Sequence, residues 1–154
     1  MQIQNGRNFS VINTGALSNI KTQTFSHEAV GSIEGKQFIK DSLNLTGMEA
    51  SLNIMPPNTS MPFYHQHKEN EELYIFIKGK GQFQVDGSTF DVAEGSIVRV
   101  ATEGIRVWRN TGSDDLYCIV IQAKENTLPV GNISDGIGVN KPVEWPEEVL
   151  ATPA

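Results

Sequence analysis

Apolar and polar residues alternate along most of the chain in short runs, each closed by glycine, asparagine or proline. That texture predicts β-strands, because successive side chains of an extended segment point to opposite faces. From Gln37 onward the runs follow closely: Phe38 to Leu45, Glu49 to Met55, Phe63 to His67, Leu73 to Lys78, Gln82 to Val85, Thr89 to Val92, Ile97 to Val100, Ile105 to Trp108 and Leu116 to Gln122. Turn residues separate them at Thr46-Gly47, Pro56-Pro57-Asn58, Lys80-Gly81, Asp86-Gly87, Glu94-Gly95, Glu103-Gly104 and Thr111-Gly112, supplying glycine or asparagine where a positive φ is needed. No segment of helical length and period interrupts the series, so the expected class is all-β, a sandwich or barrel.

The ends differ in texture from this centre. Residues 1–36 mix short apolar pieces with Asn-Thr-Gly and Ser-Asn turns, which predicts one or two short strands and loops packing on a barrel formed by residues 37–124. Residues 125–154 are rich in Gly, Pro and Asn and read as a loop-rich tail packed on its own domain, with a tail that bridges two subunits as the alternative. Within it, Pro146 followed by Glu147 and Glu148 predicts a short helix near 146–151, anchored by Trp145, since proline suits a first turn and acids complement the helix dipole. Two of the central runs are apolar on both faces: Tyr74 and Phe76 alternate with Leu73, Ile75 and Ile77, and Leu116, Cys118 and Val120 with Tyr117, Ile119 and Ile121. One face of each lines the core and the other needs cover, so a homodimer is expected.

Composition narrows the class of partner. A length of 154 residues fits one domain, and 38% hydrophobic residues is ordinary for a globular protein. The net charge of -6, with no cluster of lysine and arginine, argues against nucleic acid and against an anionic membrane, leaving a small molecule as the expected ligand. The single cysteine, Cys118, lies in an apolar run and reads as a buried hydrophobe. The first residues carry neither the basic region nor the apolar run of a secretion signal, and no apolar stretch is long enough to span a membrane; a cytoplasmic location is the expectation.

Candidate chemistry concentrates in residues 62–79, which hold His65, His67 and Glu72. If 63–67 is extended, His65 and His67 share one face, and a reversal over Lys68 to Glu71 turns Glu72 toward them from the next strand. Two nitrogens and one oxygen then face one point, the composition of a two-histidine, one-carboxylate site that leaves coordination positions open. The plain alternative is a solvated charged loop, with Glu69, Glu71 and Glu72 exposed beside a surface histidine pair. Tyr64 and Gln66 face the other way and read as structural, and His27, alone in a polar loop, is left outside the site.

The spacing His65-x-His67-x4-Glu72-x6-Gly79 resembles the first motif of the cupin family. Residues 95–110 resemble its second motif: Gly95 and Asn110 stand where that motif has its glycine and asparagine, whereas Ala101 replaces its proline and Arg106 stands in place of its histidine ligand. A subset of cupins is similar in carrying arginine there. The resemblance covers about residues 48–124 and implies a double-stranded β-helix, a small jelly-roll barrel. It also implies a divalent transition metal (Fe, Mn, Zn or Ni) on His65, His67 and Glu72.

Arg106 complicates that implication, because a guanidinium stays charged and does not coordinate metal. Two arrangements are open: Arg106 pairs with Glu72 and replaces the metal, or it turns toward an anionic ligand. Trp108 shares its face, as Tyr74 and Phe76 share that of Glu72, and an apolar pocket with one arginine suits a small carboxylate or sugar. These four residues are the candidate ligand contacts. Three functional readings follow: a metal-dependent isomerase, epimerase or dioxygenase; a metabolite-binding protein without turnover or metal; or a structural dimer whose barrel is filled by Tyr74, Phe76 and Trp108. No general base can be placed from the sequence.

Overall fold

The computed structural model describes residues 3–147. Its strands in chain order are β1 (Ile3–Asn5), β2 (Ser10–Ile12), β3 (Thr24–His27), β4 (Gly31–Glu34), β5 (Lys36–Phe38), β6 (Glu49–Met55), β7 (Asn70–Lys78), β8 (Lys80–Val85), β9 (Ser88–Ala93), β10 (Ile97–Val100), β11 (Arg106–Asn110) and β12 (Leu116–Lys124). A 3-10 helix spans Leu17–Thr22 and a single helical turn, α1, spans Lys40–Leu43. Two sheets make the body, one of five strands ordered β10-β7-β12-β6-β5 and one of three ordered β11-β8-β9, with every pairing antiparallel. This is the double-stranded β-helix that the pattern and motifs predict.

The core lies between the two sheets, because alternation sends one set of side chains inward from each strand. Met55, Tyr74, Phe76, Leu116, Cys118 and Val120 from the larger sheet meet Phe83, Val92 and Trp108 from the smaller. Burial on this scale, at about 25 cal/mol per Å² of apolar surface, is the main term holding the sheets together. Cys118 is buried, and burial pushes its thiol up to about 12, which leaves it an inert packing group. A second cluster sits on the outside of the larger sheet, where Ile20 of the 3-10 helix covers Ile54 and Tyr117.

Several elements depart from the sequence reading for local reasons. The run Phe38 to Leu45 is not a strand: β5 stops at Phe38, α1 follows, and Asn44 closes it in the left-handed region at φ 54. Short polar side chains tolerate that conformation, and the residues here have no partner strand to hold them extended. Residues 63–67 also form no continuous strand. They run along the free edge of β11 with isolated pairings at Ser60 to Arg109 and His65 to Arg106, and Pro62 between them has no N–H to continue the ladder. The turn expected at Lys80-Gly81 sits at Gly79, at φ 88, while Gly81 lies inside β8, where a Cβ would meet the Arg109 carbonyl oxygen at 2.2 Å. Residues 3–34 contain four short strands, more than the one or two expected.

Beyond β12 the described residues form no regular element, and the tail does not pack as expected: Ile133, Ile137 and Trp145 are 87%, 90% and 90% exposed. Of the helix expected near 146–151, residues 148–151 lie outside the described residues.

Candidate metal centre

Three elements converge at one end of the barrel. β7 alternates so that Glu72, Tyr74 and Phe76 point inward, and β11 opens with Arg106 and continues inward with Trp108. The edge segment brings the histidines: His65 N–H donates to the Arg106 carbonyl at 3.2 Å, Arg106 N–H returns a bond to the His65 carbonyl at 3.0 Å, and His67 N–H donates to Thr102 O at 3.1 Å. Although the strand is incomplete, its alternation survives, with His65 and His67 half-buried while Tyr64 and Gln66 are exposed. Backbone pairing to β11 therefore sets the histidines facing Glu72, which the spacing predicted from a different arrangement of the link. Asn70 and Glu71, assigned by sequence to that link, belong to β7.

His65, His67 and Glu72 each offer a ligand atom within 4.8 Å of the others. The two oxygens of Glu72 have different surroundings. Oε2 accepts from Arg106 Nη2 at 2.6 Å, from Arg106 Nε at 3.1 Å and from the Tyr74 hydroxyl, and lies 3.5 Å from His65 Nε2. Oε1 faces His67 Nε2 at 3.1 Å. That distance is short enough for a hydrogen bond, but the alignment is not that of one, and His67 Nε2 and His65 Nδ1 are buried with no aligned partner.

Arg106 is completely enclosed, and its third contact, Nη1 to the Gly104 carbonyl at 2.8 Å, fixes the rest of the guanidinium. Of the two arrangements left open by the sequence, the structure shows Arg106 paired with Glu72. It engages a single carboxylate oxygen, so Oε1 stays available. Burial pushes the Glu72 carboxyl up, but the contacts from His65, His67, Tyr74 and Arg106 outweigh it and hold Glu72 well below the usual carboxylate range. Tyr74 moves the opposite way, raised by burial and by the charge of Glu72, so its hydroxyl remains a donor.

A divalent metal fits this donor set. Two imidazole nitrogens and a Glu72 carboxylate oxygen lie within 4.8 Å of one another, and the buried His67 nitrogen facing Oε1 without a hydrogen bond is satisfied when both bind a cation. Arg106 and Tyr74 then hold Glu72 by its other oxygen, the outer support that orients a ligating carboxylate. The imidazoles are 28% and 26% exposed and the Glu72 side chain only 6%.

The remaining candidate contacts lie deeper. Phe76 is sealed between Phe83 and Trp108, ring centroids 6.3 and 5.8 Å away. Trp108 borders a cavity of about 180 Å³ that also touches Lys36, Asn53, Met61 and Pro62. A larger cavity of about 380 Å³ lies against Tyr64, Gln84 and Arg109 and contains none of the candidate metal ligands. Sequence reasoning missed Lys36, Ser51 and Asn53. The available signal was in the run Glu49 to Met55, where Ser51 and Asn53 put polar groups on the inward face shared with Met55.

The paired sheets and the inward histidine-carboxylate cluster define a small double-stranded β-helix protein with a candidate metal site inside it. The chain belongs to the cupin family: residues 51–122 match the cupin domain model. A cupin protein from Bacteroides fragilis is 32% identical, with a TM-score of 0.62 over 77% of this chain and 97% of that one. At lower identity, a protein from Acidithiobacillus ferrooxidans provisionally designated a sugar phosphate isomerase matches at 21% identity and TM-score 0.61, over 74% of each chain. A protein from Thermotoga maritima provisionally designated an oxalate decarboxylase matches at 20% and 0.59, over 74% of this chain and 98% of its own. These two likenesses show the fold. No curated protein matches the sequence.

Proposed function

We propose that this cupin holds a divalent transition metal of the Fe, Mn, Zn or Ni group on His65, His67 and Glu72, and takes a small anionic molecule beside it. One observation carries the reading: His67 Nε2 and Glu72 Oε1 converge to 3.1 Å without an aligned hydrogen bond, while every donor on Glu72 gathers at Oε2. A bound metal supplies Lewis acidity to a ligand oxygen. Arg106 and Tyr74 keep Glu72 ionised and oriented, and the exposed side of the imidazoles admits the ligand. Isomerase, epimerase and dioxygenase chemistry are the activities to assay. The second reading, a metal-free binder of a sugar or other metabolite, is favoured by the enclosed Arg106–Glu72 pair itself, which neutralises Glu72 without an ion.

Elemental analysis of protein purified without chelator separates the two. The first reading expects near-stoichiometric metal in the wild type and its loss in His67→Ala. Metal missing from the wild type but gained in Arg106→His puts the second reading ahead.

A homodimer belongs to the same proposal. The outer face of the larger sheet carries Leu73, Ile75, Ile119 and Ile121 half-buried, beside Ile97 at 65% exposed, where the 3-10 helix gives no cover. A second copy of the same apolar face, with the exposed tail across the junction, is a self-complementary cover. Sedimentation equilibrium is expected to show a dimer that Ile75→Glu dissociates; a wild-type monomer at micromolar concentration overturns it.

A further inference from the structure

The barrel holds a second cation that neither motif announces. Lys36 begins β5 and pairs with Asn53 of β6, which pairs in turn with Cys118 of β12. Cross-strand neighbours share a face, so Lys36 projects inward with Asn53 and Cys118. Its ammonium donates to Asn53 Oδ1 at 2.9 Å and to Ser51 Oγ at 3.3 Å, and lies 4.7 Å from the centroid of the Phe38 ring. Ser51 is one pairing row closer to the metal centre, in line with Val120 and Tyr74, and Glu72 is the next inward residue on β7. The ammonium therefore reaches along the barrel toward the centre.

This cation has no counter-ion in contact: among the described residues its partners are neutral oxygens and a ring. Burial lowers its pKa, and the more distant charges of Glu72 and Glu49 and the Cys118 thiol only partly oppose that. Donors are left over as well. An ammonium has three and two are used; Ser51 Oγ already accepts from Lys36 and from Asn53 Nδ2, so its own hydroxyl proton is free for another acceptor. Ser51 and Asn53 are 1% and 7% exposed, and Lys36 itself is half-buried. The cavity of about 180 Å³ bordered by Lys36, Asn53 and Trp108, with Glu34 also on its wall, has room for a few heavy atoms.

We propose that Lys36 anchors a carboxylate group of the barrel's ligand in this cavity, Asn53 and Ser51 holding the ammonium in place. The proposal rests on the reading that the barrel takes a small anion, and not on metal. Arg106, the cation at the motif position, is fully enclosed and already balanced by Glu72, whereas Lys36 has no carboxylate in contact among the described residues and one donor to spare. A point-charge ammonium on a flexible stem with a spare donor suits a carboxylate oxygen.

The test is calorimetric titration of acetate, malonate and inorganic phosphate into chelator-treated and metal-loaded protein, for the wild type, Lys36→Met and Lys36→Arg, with metal content measured on the same samples. The expected result is saturable carboxylate binding to the wild type in both forms, tighter than phosphate, weakened at least tenfold in Lys36→Met and largely kept in Lys36→Arg. Ser51→Ala, which keeps the charge but removes one of the ammonium's two hydrogen-bond acceptors, is expected to weaken it less than Lys36→Met does. Carboxylate binding unchanged in a folded Lys36→Met variant overturns the proposal, as does phosphate binding in preference to carboxylate or no carboxylate binding to the wild type. Metal content separates the readings: an empty wild type that binds malonate through Lys36 sinks the metal and keeps the anchor, and a metal-loaded wild type indifferent to Lys36→Met does the reverse.

Discussion

Two cations sit inside this barrel in opposite electrostatic states. Arg106 is fully enclosed, donates twice to Glu72 Oε2, and completes its contacts on Gly104. Lys36, across the barrel at the edge of the larger sheet, touches only neutral groups. The first is a closed pair whose charge is balanced within the protein; the second is balanced by nothing in contact with it. A planar guanidinium pinned at three points is a structural part, and a lysine on a flexible stem with a spare donor is suited to a ligand. The cation at the position where the motif has a ligand is thus already neutralised, and the one without a contacting carboxylate among the described residues is Lys36.

Breaking the closed pair gives the largest expected effect. Arg106→Met leaves the Glu72 carboxylate buried without its main partner, and removing one member of a buried pair costs about 3–5 kcal/mol. Urea unfolding at neutral pH is expected to show a loss of that size, and Arg106→Met with Glu72→Gln to show less than the sum of the single losses. A loss under about 1 kcal/mol, the scale of an exposed ion pair, makes Arg106 available for a ligand after all.

The pH dependence sharpens the same side of the comparison. Glu72 is held below its unfolded value, so the stability it contributes is fully present above the unfolded glutamate pKa near ~4.3 and is lost as pH falls from there toward the folded value. Wild-type stability is expected to fall below pH ~4.5, and Glu72→Gln to flatten that slope while being less stable at pH 7. Equal slopes for the two proteins place the acid sensitivity in other carboxylates.

Much of the fold was legible because alternation is a local signal. The run Glu49–Met55 coincides with β6 and Ile97–Val100 with β10. The run Phe38 to Leu45 misled because its apolar residues carry no record of whether a partner strand exists, and α1 takes them instead. The histidines were placed correctly on one face although 63–67 makes only isolated pairings, since alternation needs extended backbone and not a complete ladder. The Arg106–Glu72 pair was one of two options in the sequence, because the distance between residues 34 apart in the chain is set by the sheets. Lys36 was invisible for a related reason: a lysine opening a short strand next to a glycine reads as surface, and only its register with Asn53 turns it inward.

The smallest effect falls on the open side and tests the contrast most directly. Lys36→Met keeps the stem length, removes a desolvated charge and gives up hydrogen bonds to Asn53 and Ser51, each worth about 1 kcal/mol. Losing those bonds destabilises while removing a half-buried ammonium that has no counter-ion stabilises, so without ligand the net change at pH 7 is expected within about 1 kcal/mol of zero. The sign of its pH dependence follows from the depressed pKa: the native state sheds this proton before the unfolded chain, so wild-type stability rises relative to Lys36→Met as pH climbs toward the unfolded lysine value near ~10.4. Paired urea melts at neutral and alkaline pH measure both quantities. A neutral-pH loss above about 2 kcal/mol makes Lys36 a structural link of the same kind as Arg106, and the distinction between the two cations then fails.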